Sequence, residues 1–157
     1  MKGKAIPYHF EANVQWKAGS FATASGPGLR QVIMVSPPAA MSGNKTETGW
    51  SPEHFLIAAV AGCFINTFQT FAENEGFQFG DLVCPVKGVV QFVEGKFMFT
   101  GIHINPVLTL LRDADEVHGR QIAGKAKHYC LISNSLKCPI EMDLELKSID
   151  VNLDTLA

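Results

Sequence analysis

Two cysteines are placed as a nucleophile and its resolving partner would be. Cys63 sits in Ser51-Pro52-Glu53-His54-Phe55-Leu56-Ile57-Ala58-Ala59-Val60-Ala61-Gly62-Cys63-Phe64, and Cys130 sits in His128-Tyr129-Cys130-Leu131-Ile132-Ser133-Asn134. The first falls within a long apolar helix and the second at a helix start. Breaking a peroxide O–O bond with sulfur needs a thiolate, whereas an ordinary cysteine with a pKa of about 8.5 is mostly protonated at neutral pH, and burial raises the pKa further. Something must stabilise the anion. Cys63 lies about three turns into its helix, beyond the influence of that helix's own dipole, so the sequence calls for a cation from elsewhere. Cys130, at a helix start beside Lys127 and His128, is by local electrostatics the more acidic thiol of the two.

The remaining chemistry-bearing residues do not make a metal centre. The cysteines at 63, 84, 130 and 138 contain no C-x-x-C pair, and the five histidines are scattered. No metal is expected. Cys84 and Cys138, each followed by proline, read as packing residues. Rossmann glycines and a phosphate loop are also missing, so no cofactor is expected.

These residues need a frame. The chain has 157 residues, 46% of them apolar, enough for one globular domain over 1–157 with its own core. Thirteen basic against 15 acidic residues leave a net charge of -2, and no basic run could neutralise phosphates, which argues against nucleic acid. No secretory signal pattern opens the sequence. The apolar stretch Phe55–Ile65 is about half the ~20 residues a bilayer demands, so no membrane partner is expected. The expected setting is the cytoplasm, where thiols stay reduced.

Period-two alternation from Tyr8 to Lys17 predicts a first strand, followed by a turn at Ala18-Gly19-Ser20. Phe21–Ser25 and Arg30–Ser36 read as strands around Gly26-Pro27-Gly28, closed by Pro37-Pro38. A polar loop covers 39–49. Ser51 then offers an N-cap, Pro52 a first-turn residue and Glu53 an acid for the positive end, and the helix runs to about Gly76. Because it is apolar on most sides, it must be enclosed by a second sheet or a second subunit. Further strands are predicted over Val83–Val93, Lys96 to about Leu111 and Ile140–Leu153, with a hairpin at Glu94-Gly95. Asp113 and Glu116 resemble a capping box opening a second helix to about Lys127, and a short third helix starts near Cys130. The order is β-β-β-α-β-β-α-α-β, an α+β fold.

Ser-Pro-Glu placed so that Glu53 precedes Cys63 by ten residues, with a later Tyr-Cys-x-x-Ser-Asn, resembles the OsmC/Ohr family of organic-hydroperoxide reductases. Two positions depart from its usual motifs: Ser51 stands for asparagine, and Leu131 stands for proline. The resemblance implies an intertwined homodimer with central helices enclosed by sheets and two sites at the subunit interface. It implies that Cys63 attacks an organic hydroperoxide to become a sulfenate, that Cys130 resolves it as a Cys63–Cys130 disulfide, and that a dithiol reductant of the dihydrolipoyl type restores the thiols. In the family an arginine paired to the motif glutamate helps activate the nucleophile. Lys17 and Lys45 fall near the places where two branches carry that arginine, and Arg30 is the sole arginine before the helix. The catalytic candidates are therefore Cys63, Cys130 and Glu53, and the substrate-binding candidates are Lys17, Arg30 and Phe64.

Glu53 stands about 15 Å along the helix from Cys63, so its reach to a thiol is expected across a dimer. Each residue also has a plainer reading: Cys63 as an inert core thiol, Glu53 as a helix-start acid, Cys130 as a helix-start residue and the phenylalanines as core. The alternatives to a peroxidase are a small-molecule-binding module that keeps the fold without turnover, and a stress-associated dimer without chemistry.

Overall fold

In a computed structural model, residues 8–18, 21–29, 33–35 and 49–149 are described. Arg30, Lys45, the turn residues Gly19 and Ser20, the loop 39–48 and the segment beyond residue 149 lie outside them. The chain divides into two compact units, Met1–Phe55 and Leu56–Ala157.

The first unit holds an antiparallel sheet in the order β1 (Asn13–Ala18), β2 (Phe21–Ser25), β3 (Ile33–Val35). The first strand is shorter than its alternation predicts, because Tyr8–Ala12 has no ladder partner. Gly26-Pro27-Gly28 makes the expected turn, closed by Leu29 N–H donating to Gly26 O at 3.1 Å. Tyr8, Phe10, Val14 and Trp16 are all exposed.

Helix α1 spans Pro52–Asn74. Its start is clamped twice. Ser51 N–H donates to His54 Nδ1 and His54 N–H donates to Ser51 Oγ, each at 3.3 Å, a capping box with histidine in the usual glutamate place. Trp50 and Phe55 flank this cap with ring centroids 5.5 Å apart, as a hydrophobic staple does. The helix ends where the glycine predicts: Gly76 at φ 64° lets its N–H reach Glu73 O while Phe77 N–H reaches Ala72 O at 2.8 Å. That bond pair is a Schellman closure, which needs a left-handed residue. By length and composition α1 could cross a bilayer, yet its Val60–Phe64–Phe68–Ala72 stripe is buried in protein.

The second unit has two three-stranded ladders of matching design. One is β4 (Phe79–Val83), β7 (Val107–Leu110), β9 (Glu145–Ser148), and the other is β5 (Val86–Val93), β6 (Lys96–Ile104), β8 (Ile140–Met142). The strands expected over Lys96 to about Leu111 and from Ile140 onward are thus each two strands, while the one expected over Val83–Val93 is β5, preceded by β4, which the sequence reading did not include. The breaks come at Cys84-Pro85, Asn105-Pro106 and Asp143-Leu144, two of them prolines that cannot donate to a ladder. Hydrogen bonds bridge the corner: Asn105 N–H to Pro85 O at 2.8 Å, Asp143 N–H to Ile104 O at 3.1 Å and Glu145 N–H to Pro106 O at 2.9 Å. The sheet therefore bends without losing its pairing. The Glu94-Gly95 hairpin forms as expected, joining Val93 opposite Lys96.

A 3₁₀ turn (Asp113–Asp115) leads into α2 (Glu116–Tyr129), and α3 (Leu131–Ser135) follows with Cys130 between them. The predicted Asp113–Glu116 capping box does not form. Arg112 takes the Asp115 carboxylate instead, at 3.0 and 3.1 Å, and neither helix start has a side-chain cap. The core lies where α1 meets Ile102 and Ile104 of β6, Leu108 and Leu110 of β7, and Ile122, Ala123 and Ala126 of α2. Phe64 and Phe68 are fully buried there, each stabilising the fold by roughly 2–3 kcal/mol. The result is the expected α+β fold.

Candidate active site

Cys63 and Cys130 come together. Cys63 is half-buried on α1, and Cys130 is 1% exposed at the start of α3, its Sγ lying 3.9 Å from the carbonyl of Val60, one turn before Cys63. Each of the two thiols shifts the ionisation of the other, and all four cysteines of the chain are free thiols.

Burial alone would push the Cys63 thiol up, but it is outweighed. The backbone N–H of Ile132, the Cys130 side chain, the Thr67 hydroxyl and the backbone N–H of Leu131 together hold Cys63 below the ordinary thiol range. Cys130 goes the other way. Burial pushes it up, the Ser133 hydroxyl and N–H offset part of the rise, and the neighbouring Cys63 adds to it. The order of acidity read from local sequence is therefore reversed. The helix start that was expected to favour Cys130 directs its first N–H groups at the sulfur of Cys63, because Cys130 occupies the N-cap position and its own sulfur turns toward Val60. Lys127 and His128 are not among the groups that shift either thiol. Among the described residues no cation is one of these groups; the donors that lower Cys63 there are peptide N–H groups, a hydroxyl and a thiol.

The Tyr-Cys-x-x-Ser-Asn run has a physical reason for its polar pair. Ser133 Oγ donates to Cys130 Sγ at 3.1 Å, and the Asn134 side-chain amide donates to His128 O at 2.9 Å, tying α3 back onto the end of α2. Cys84, packed against the core, is pushed up to about 11 by burial, with Cys130 contributing. It stays a neutral thiol.

The other sequence candidates are not brought to these sulfurs by anything described. Glu53, in the first turn of α1, has its Oε2 buried without a hydrogen-bond partner among the described residues. Lys17 is exposed and donates to Gln15 Oε1 at 2.6 Å. Arg30 lies outside the described residues. Phe64 is fully buried and packs on Phe68, ring centroids 6.3 Å apart, inside the core. Sequence reading missed the His54 cap, the Trp50 staple and the Thr67 contact. A histidine three residues after an N-cap serine was the available signal for the first. Among the described residues, no group of three His, Cys, Asp or Glu side chains is placed to hold a metal ion.

The chain is 26% identical over 141 residues to the uncharacterised protein YmaD of Bacillus subtilis, covering 88% of this chain and 93% of that one. It is 28% identical over 148 residues to the peroxiredoxin OsmC of Escherichia coli, covering 94% and 96%. Among solved structures, an OsmC-like protein of unknown function from Vibrio cholerae superposes with a TM-score of 0.78 at 18% identity, covering 88% of this chain and 99% of that one, which shows a shared fold. The OsmC-like protein family model matches residues 43–145, taking in both cysteines and all three helices, and the chain belongs to the OsmC/Ohr family.

Proposed function

We propose that this protein is a thiol-dependent peroxidase that reduces organic hydroperoxides. The observation that carries the reading is that Cys130 packs against α1 one turn before Cys63, its Sγ 3.9 Å from Val60 O, and this goes with a Cys63 thiol shifted below its ordinary range and a Cys130 thiol shifted above it. One sulfur is prepared as the anion and the other keeps its proton.

The Cys63 thiolate attacks the terminal, hydrogen-bearing oxygen of the hydroperoxide. The O–O bond breaks, the alkoxide leaves and takes a proton to become the alcohol, and Cys63 carries a sulfenic acid. Cys130 then attacks the Cys63 sulfur. The S–O bond breaks, hydroxide departs with the proton of the Cys130 thiol as water, and a disulfide remains. The peroxide has gained two electrons and the protein dithiol has lost two. A dithiol of the dihydrolipoyl type reopens the bridge through a mixed disulfide and is itself oxidised to the disulfide. The peroxiredoxin name of the Escherichia coli relative supports this class of chemistry.

A homodimer is part of the proposal. Ala59 of α1 is exposed, and a Cβ added at Gly62, beside Cys63, would meet nothing, so this face of an apolar helix has no cover among the described residues. Trp16 (69% exposed), Phe92 (64%) and Phe97 (65%) are further apolar side chains that a second copy would cover. The buried, unpartnered Glu53 oxygen fits a donor supplied by that copy.

Intact-mass measurement after one equivalent of an alkyl hydroperoxide tests the chemistry. Loss of two hydrogens is expected, followed by turnover once dihydrolipoamide is added. An unchanged mass would overturn the peroxidase reading in favour of a fold that binds without reacting.

A further inference from the structure

We infer that the Thr67 hydroxyl is a switching hydrogen-bond donor to the nucleophile, held by the carbonyl of Cys63 while the thiol is neutral and turning to the sulfur when it ionises. The inference takes its importance from the peroxidase reading, but its geometry and its test do not depend on it.

Thr67 follows Cys63 by one helical turn on α1, and side chains of a helix lean toward its N-terminus, so Thr67 reaches back over Cys63. Its Oγ donates to Cys63 O at 2.7 Å. Side chains four residues apart on a helix are neighbours on one face, which sets the same hydroxyl beside the Cys63 side chain, whose thiol pKa it lowers. A hydroxyl carries one proton and two acceptors compete for it. The carbonyl already accepts within the helix and a neutral thiol is a poor acceptor, so the carbonyl holds the proton in the protonated state. A thiolate is charged, and charge-assisted hydrogen bonds are about twice as strong as neutral ones, so ionisation reverses the preference. Threonine in a helix divides between two χ1 rotamers for this kind of reason, which makes the exchange a small rotation. An internal control exists: Thr70 Oγ donates to Asn66 O at 2.9 Å in the same geometry, with no thiol beside it.

The test is the pH dependence of iodoacetamide labelling at Cys63, followed by peptide mass in the full-length protein. Thr67→Val keeps the shape and removes the donor. Its labelling midpoint should rise by up to about one pH unit, the equivalent of one hydrogen bond, with roughly tenfold slower labelling below the midpoint. Thr67→Ser should return the profile to wild type, and Thr70→Val should not move it. A Thr67→Val profile that overlays wild type overturns the inference, as does a Thr67→Ser profile matching Thr67→Val, which would show that a hydroxyl at this position does not set the midpoint. No peroxide is used. A shifted midpoint in a protein without turnover would defeat the peroxidase reading alone, and an unshifted midpoint in an active enzyme would defeat the Thr67 inference alone.

Discussion

The start of helix α1 and its middle solve the same problem in opposite ways. Around Cys63 the described surroundings favour the ionised form: two peptide N–H groups of α3, a hydroxyl one turn on, and a neighbouring thiol. Around Glu53 a carboxylate oxygen is shielded from water and has no partner among the described residues. A buried acceptor without a donor costs about 1–3 kcal/mol, more when charged, so native proteins keep few of them. The contrast is between a thiol well supplied with donors and a carboxylate end that the described residues leave unfinished.

That difference can be broken or sharpened by substitution. The largest effect belongs to Cys63→Ser, which should lower peroxide turnover about a thousandfold or more, read as dihydrolipoamide oxidation, because no other thiol in contact is prepared as an anion. Retained turnover would move the chemistry to another sulfur. Cys130→Ser should cost about a hundredfold in steady state yet leave one fast turnover, and the mass should gain one oxygen where the native protein loses two hydrogens. A smaller change tests the unfinished end. Glu53→Gln keeps the shape and drops the charge, and turnover should fall about tenfold, near 1.4 kcal/mol, if a donor from a second copy normally meets that oxygen. Equal rates for Glu53→Gln and wild type would leave Glu53 as a helix-start acid. Lys17→Ala should matter least, within about twofold, since this lysine is exposed and already bound to Gln15. A collapse of turnover in Lys17→Ala would show that the site needs a cation after all.

The legible parts of this molecule were those written in local signals. Ser51-Pro52-Glu53 marked the beginning of α1 and Gly76 its end, because capping and left-handed closure are decided within a few residues. Glu94-Gly95 marked the hairpin for the same reason. The strand corner was not legible. Alternation runs on through Cys84-Pro85 and Asn105-Pro106, and only the neighbouring strands show that the ladder turns there. The acidity of the thiols was misread for a related cause. Sequence shows Cys130 at a helix start, but which sulfur receives the N–H groups depends on α1 lying alongside, a fact of tertiary placement. The Asp113 cap failed because 113–115 form a 3₁₀ turn, which puts Asp115 at the N-cap of α2, and Arg112 holds the Asp115 carboxylate.

The parallel pairings of β8 with β6 and of β9 with β7 place α2 and α3 inside the crossover that joins the two halves of the sheet. Parallel neighbours so far apart in sequence pair slowly, after the loop between them has closed. The peptide groups that acidify Cys63 are therefore in position only once the C-terminal strands have docked. During refolding, the reactivity of this sulfur should lag behind the appearance of helix, giving the chain a built-in chemical clock for its last assembly step.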